Sequence, residues 1–361
     1  MISRGTAFTY QGKRVDTKQI GRELGVRYVL EGSVRRSGQA VRINAQLIDA
    51  ESDAHLWAER FDGDMRDLFT LQDEVTSRIA VALNLELISA EAKRPTGHPD
   101  ALDYVLRGRA ARLRPNSRDV IAEAISQFER ALALNPKSVA VQSDLAVALA
   151  SRVLENMTDT ASADIARAED LAGQALASSP RSWLAHFANG TVLRAQRRFA
   201  EALPEYETVL AVNPNWVWAL HALGQCKLYS GSIEETIPLV ERAIRLSPRD
   251  PLLSVWYWQI GFVHLLQSRT DEAILWFEKA RGAGPEVPSV RAGLASAYGL
   301  NGETQRAAAE LAQARRLSAD DRHSSIARLK AIGTFRGVPK IHALGEATYF
   351  AGLRKAGMPE E

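Results

Sequence analysis

"RSWLAHFANGTVLRAQRRFAEALPEYETVLAVNP", residues 181–214, is one unit of a repeat, and its reading decides the fold. It ends on Pro214, 34 residues after Pro180. Gly190 stands ten residues past Pro180, Ala202 twelve further on, and Tyr206 four beyond that. Small residues at two fixed places let two helices cross closely, and the larger tyrosine fills the adjacent hole. The terminal proline cannot extend the hydrogen-bond ladder, so it ends the second helix. Working outward, "ALALNP", "ALASSP", "VLAVNP", "AIRLSP" and "KARGAGP" end at Pro136, Pro180, Pro214, Pro248 and Pro285, and "ARRLSA" puts Ala319 in the proline's place. The successive spacings are 44, 34, 34, 37 and 34 residues, so the longer two predict loop insertions.

The same grammar continues downstream. Gly224, Gly261 and Ala295 repeat the place of Gly190; Thr236, Ala273 and Ala307 repeat that of Ala202; Val240, Phe277 and Leu311 repeat that of Tyr206. In the first unit Gly108 and Ala124 lie sixteen apart, and Pro115-Asn116 lengthens the turn. The second carries its ten-residue excess in "VLENMTDTASADIARAEDLAGQALASSP", whose Ser, Thr and Asp content predicts a loop in its first half. A 34-residue helix-pair period resembles the tetratricopeptide repeat family, over roughly residues 101–319 as six repeats. The resemblance implies a mainly α protein, an α-solenoid with residues 320–361 as C-terminal capping helices.

The front of the chain differs. In "YVLEGSVRRSGQAVRINAQLIDAESDAHLWAERFD", residues 28–62, Val41, Ile43, Ala45 and Leu47 alternate with Arg42, Asn44 and Gln46. That period of two marks a half-buried strand. Ser37-Gly38 and Glu51-Ser52-Asp53 are turn clusters, which predicts three antiparallel strands joined by hairpins. "DTKQIGRELG" predicts a short helix with Asp16 as N-cap and Gly25 as its stop. A later helix carries Leu68, Leu71, Val75, Ile79 and Leu83 on one stripe, fit to cover the sheet.

The phrases "FTYQGK", "GRELGVRYVLEGSVRRSG", "VRINAQLIDAESDAHLWAERFD" and "LFTLQDEV" are similar to the bacterial TolB amino-terminal-like domain, in the version placed before tetratricopeptide repeats. "LRKAGMPEE" resembles the end of the cyclase-associated group of such chains. The resemblance implies a small α+β domain over residues 1–92, in chains that often begin with a class III adenylate or guanylate cyclase domain or a winged-helix DNA-binding domain. In the family a βα unit and a further strand precede the position of Ser3-Arg4, whereas here Met1-Ile2 stands there. The domain therefore reads as truncated, with an exposed sheet edge open to self-association.

Composition excludes several classes. The net charge of +2 makes no case for nucleic acid or anionic membrane. The single cysteine, Cys226, excludes an internal disulfide and a cysteine-based zinc site. No apolar run approaches a transmembrane length of about 20 residues, and the expected location is cytoplasmic. No phosphate loop of the G-x-x-x-x-G-K-[ST] kind occurs, and Ser33 is followed by a strand, not by the helix of a nucleophile elbow. None of the seven histidines forms an H-x-x-x-H or H-E-x-x-H pair. Asp49, Asp53, Asp62, Asp64 and Asp67 fall at turns and a helix start, as capping demands. Arg35, Arg36 and Arg42 read as a solvated strand face beside Glu31 and Asp49. No catalytic residue, metal ligand or cofactor site is expected.

The functional surface is expected in the repeats. In the tetratricopeptide pattern, side chains seven and eleven places past the terminal proline face a concave groove. Here these are Phe187 and Thr191, His221 and Gln225, and Trp258 and Phe262 in the inserted repeat, with Leu184 and Trp218 beside them. Trp183, Trp216 and Trp256 are expected between helices. Phe, Trp and His suit a peptide or protein partner held by aromatic anchors, with little dependence on salt. The expected function is a non-enzymatic protein–protein interaction scaffold, the regulatory or sensory part of a bacterial nucleotide-cyclase-associated signalling protein. The alternatives are the C-terminal part of a complete cyclase or of a winged-helix transcriptional regulator.

Overall fold

The computed structural model describes residues 10, 15–94, 96–114, 117–318, 320–332 and 337–361. Met1-Ile2, Ser3-Arg4, most of "FTYQGK", Pro115-Asn116, Ala319 and the side chain of Leu68 lie outside the described residues. The chain divides into two compact units, Met1–Pro95 and Thr96–Glu361.

In the first unit, α1 (Thr17–Leu24) begins where the Asp16 side chain accepts from the Lys18 N–H. It stops at Gly25, whose φ of 61° only glycine adopts freely. Strands β1 (Tyr28–Ser37), β2 (Ala40–Asp49) and β3 (Ala54–Asp64) form an antiparallel sheet in the order β1-β2-β3. Leu47 stands opposite Leu30 on one side and Trp57 on the other, so one face of the sheet is apolar. Helix α2 (Leu68–Ala92) packs Leu71, Val75, Ile79 and Leu83 against Ala45, Leu47, Trp57 and Phe61. The opposite face is polar: Arg42 pairs with Asp62 at 2.6 Å and Gln46 donates to Glu31 at 2.9 Å.

The second unit holds, among its described residues, six successive helix pairs: α3 (Ala101–Arg112) with α4 (Arg118–Leu134), α5 (Val139–Leu154) with α6 (Ala161–Ser178), α7 (Trp183–Ala195) with α8 (Phe199–Val212), α9 (Val217–Tyr229) with α10 (Thr236–Leu246), α11 (Leu253–Leu266) with α12 (Thr270–Ala283), and α13 (Pro288–Leu300) with α14 (Thr304–Leu317). In the first, third, fourth and fifth pairs the large residue of the second helix lies over the glycine of the first. A Cβ on Gly190 would stand 3.0 Å from the Tyr206 ring, and one on Gly261 would stand 2.8 Å from the Phe277 ring. Ala202, Thr236, Ala273 and Ala307 are fully buried. Thr236, the one non-alanine, keeps its hydroxyl satisfied by donating to the Gly224 carbonyl at 3.1 Å.

The second repeat departs from the expected loop. Helix α5 has 16 residues and α6 has 18, against 13 and 14 in α7 and α8. Most of the excess therefore lengthens helices, and only residues 155–160 connect them. Asp164 explains the early start of α6: it accepts from Arg152 Nε at 3.0 Å and from Thr158 Oγ1 at 2.6 Å, tying the polar stretch down.

At the C-terminal end, α15 (Ile326–Ala331) precedes α16 (Pro339–Gly345), which runs through a π-helical turn (Glu346–Phe350) into α17 (Ala351–Lys355). Ser296 Oγ on α13 donates to the Tyr349 carbonyl at 2.8 Å, and the Val338 N–H donates to the Tyr229 carbonyl at 3.0 Å. Ile326 and Ala327 donate to the carbonyls of Pro359 and Glu360, both at 2.9 Å, which fastens the chain end.

Candidate functional site

Side chains from the first helices of five consecutive pairs, together with Val120 and Ile121 of α4, line one open groove. Its walls come from α5 at Val147, from α7 at Phe187, Thr191 and Arg194, and from α9 at Trp218 and His221. Arg112 at the end of α3 and Val255 on α11 close it. The spacing of Phe187, Thr191 and Arg194 is i, i+4, i+7, one face of a helix, so all three look the same way. The enclosed space is about 90 Å³. That suits a side chain or two and falls below the roughly 300–1,000 Å³ of small-molecule sites.

The eight residues singled out from the sequence divide into three groups. Phe187, Thr191, Trp218 and His221 line the groove together. Thr191 is fixed there: its hydroxyl donates to the Phe187 carbonyl at 2.8 Å and accepts from Tyr206 at 3.3 Å. Leu184 and Gln225 are half-buried on the same helices without lining it. Trp258 and Phe262 stack at 4.9 Å further along the repeats. Trp258 is half-buried and donates to the Ser289 carbonyl at 3.0 Å. Phe262 is fully buried against Tyr349 of the C-terminal segment, so it offers no free surface. Trp256 is fully buried, and Trp183 packs edge-on to Trp216, as expected of inter-helix residues.

Charge in the groove was not anticipated from the sequence. The Arg112 guanidinium lies 5.5 Å above the Trp218 ring, a cation–π distance. Arg194 sits beside His221, and burial together with that positive charge pushes the imidazole down to about 3. Arg109 Nε donates to Asp144 at 2.8 Å. Burial pushes the Asp144 carboxyl up, against the pull of Arg109 and Arg112. Burial raises the nearby Asp250 carboxyl to about 6, against the hydrogen bonds it accepts from the Leu252 N–H and Ser247 Oγ. The missed signal lies in the repeat itself: Arg112 and Arg194 both follow the small-residue glycine, Gly108 or Gly190, by four places.

Among the described residues no group of three or more His, Cys, Asp or Glu is placed to hold a metal ion, and no helix is long and apolar enough to cross a membrane.

Fold and groove together define an α-solenoid of tetratricopeptide type, preceded by a small three-stranded sheet. Comparison with known proteins agrees on the repeats: residues 161–216 and 187–251 match the tetratricopeptide repeat family. The chain is similar to "Putative adenylate cyclase 3" of Rhizobium meliloti (strain 1021), 36% identical over 206 residues, which are 56% of this chain and 35% of the relative. The matched part is thus about a third of that relative's length. Among solved structures, the APC/C hetero-tetramer Cut9-Hcn1 gives a TM-score of 0.53 at 15% identity, covering 70% of this chain and 48% of that one. YrrB, described as a TPR protein with an unusual peptide-binding site, gives 0.38 at 19% identity, covering 56% and 96%.

Proposed function

We propose that this chain is a non-enzymatic interaction scaffold that holds a peptide or protein segment in the groove between Phe187 and Trp218. The observation that supports it most is the convergence of aromatic and polar side chains from successive helices on one side-chain-sized recess. Half-buried Trp218 is the anchor, since aromatic side chains in partly desolvated clefts dominate interface energetics. Leu184, Gln225 and Trp258, which stand outside this recess on the same run of helices, are proposed to extend the contact beyond it. The test is selection of binders from a random-peptide display library on the full chain, followed by titration of Trp218→Ala. Binding should weaken by about 1–3 kcal/mol with helicity unchanged. If no selected peptide depends on Trp218, the groove reading fails.

The same proposal assigns residues 1–92 to a TolB amino-terminal-like domain, 101–319 to six tetratricopeptide repeats and 320–361 to C-terminal caps. The phrases quoted above support the first assignment. The likeness to the Rhizobium relative supports a role as the regulatory or sensory part of a nucleotide-cyclase signalling protein. A second reading, the downstream part of a complete adenylate or guanylate cyclase, rests on the same likeness. Reading the gene in frame upstream of Met1 separates the two, because cyclase residues there would favour the second.

A further inference from the structure

Arg112 and Arg194 line the groove with Arg109 close behind Arg112, and the carboxylate beside them, Asp144, interacts with Arg109 and Arg112. Arg109 holds Asp144 by a hydrogen bond of 2.8 Å, while Arg112 feels that carboxylate only at longer range. Arg194 makes no ion pair among the described residues, and its Nε is buried without a hydrogen-bond partner. The other acids nearby are engaged: Glu155 at the rim interacts with Arg322, and Asp250 accepts from the Leu252 N–H at 2.9 Å and from Ser247 Oγ at 3.1 Å. Taking a guanidinium from water without a counter-charge is unfavourable, so Arg112 and Arg194 are poised to gain from an incoming anion.

We propose that the groove recognises an acidic partner segment, with one Asp or Glu carboxylate held between Arg112 and Arg194 and the adjoining side chain seated on Trp218. The proposal rests on the groove reading above and names its ligand class. The planar guanidinium fork matches a carboxylate in two parallel hydrogen bonds. A recess of about 90 Å³ with Val147, Phe187 and Val255 in its walls has room for a side chain and not for a nucleotide. Glu360 of this chain is already paired with Arg354.

Two matched display libraries test this on the full chain, one encoding Asp and Glu and one encoding Asn and Gln in their place. Binders should come from the acidic library. Their affinity should fall about tenfold or more in Arg112→Gln and in Arg194→Gln, and stay unchanged in Arg245→Gln on the exposed side of α10. Rising ionic strength should weaken binding to the unmodified chain, a readout that needs no variant. Trp218-dependent binders of equal affinity from both libraries, insensitive to salt, would overturn the acidic assignment and leave the groove reading standing. Displacement of the peptides by stoichiometric inorganic phosphate would also overturn it, in favour of a phosphorylated ligand. If neither library yields a Trp218-dependent binder, the groove reading falls and this inference falls with it.

Discussion

His221 is enclosed near Trp256 and Arg194, and His323 is buried near Arg322 and Arg315; desolvation leads in holding their pKa values to about 3 and about 4. In the unfolded chain both return to the ordinary imidazole value of about 6.5. Below that value the unfolded state binds more protons, so the stability these groups contribute is complete above pH 6.5 and is lost as pH falls. Between pH 7 and pH 5 the loss is about 2 kcal/mol for each histidine. Asp250 acts in the opposite sense: its carboxyl, raised to about 6, is more easily protonated in the folded chain, so its burial costs less as pH falls toward 5. His221→Gln should therefore shrink the drop in urea-derived stability between pH 7 and pH 5 by about 2 kcal/mol. An unchanged drop would mean that the buried imidazole already accepts a proton in the folded chain. Spacing alone placed His221 on the groove side of its helix, whereas the burial that lowers its pKa, with Arg194 adding to it, came from the packing of neighbouring helices. The nearly neutral composition did not reveal the two arginines either, because net charge averages over the surface and cannot register Arg112 and Arg194 lining one groove from repeats one and three.

The helices were legible because their signals are local: a glycine facing a tyrosine or phenylalanine and a proline stop; the serine caps went unread. The serine caps are seen at Ser117, Ser138 and Ser182, each accepting from a backbone N–H in the first turn. The added length of α5 and α6 was not legible. A polar run reads as a loop until Arg152 and Thr158 are known to meet Asp164. The crossing of α13 and α17 was also beyond periodicity. It depends on two glycines distant in sequence: a Cβ on Gly352 would overlap the Ser296 carbonyl, and one on Gly299 would overlap the Gly352 carbonyl. Both obstacles are backbone, which cannot rotate away, so Gly352→Ala should force the helices apart. The expected cost is about 1–3 kcal/mol in chemical denaturation, with Tyr349 and Phe262 gaining solvent access. A stability equal to that of the parent would show that the helices do not cross so closely.

The division into two compact units leaves the join at residues 93–100, where Lys93 and Arg94 are exposed beyond the end of α2. Limited trypsin digestion should cut there first and yield two protease-resistant fragments. Early cleavage inside the helix pairs instead would show that the repeats are not one cooperative unit. The non-enzymatic scaffold proposed above predicts that the purified chain forms no cyclic nucleotide from ATP or GTP. Turnover that survives a contaminant control would refute that.

From the sequence alone followed the repeat period, the helix pairs with their small-residue crossings and the three-stranded front sheet, because each depends on neighbours within about one repeat along the chain. Four groove residues, Phe187, Thr191, Trp218 and His221, followed as well, since one helical face propagates by fixed spacing. Only the tertiary structure decided that Phe262 is covered by Tyr349 and that Arg112 meets Trp218. It alone also decided that Asp144 is taken by Arg109. Those contacts join residues tens to about a hundred positions apart, and stacking of whole helices sets their distances, which no local pattern encodes.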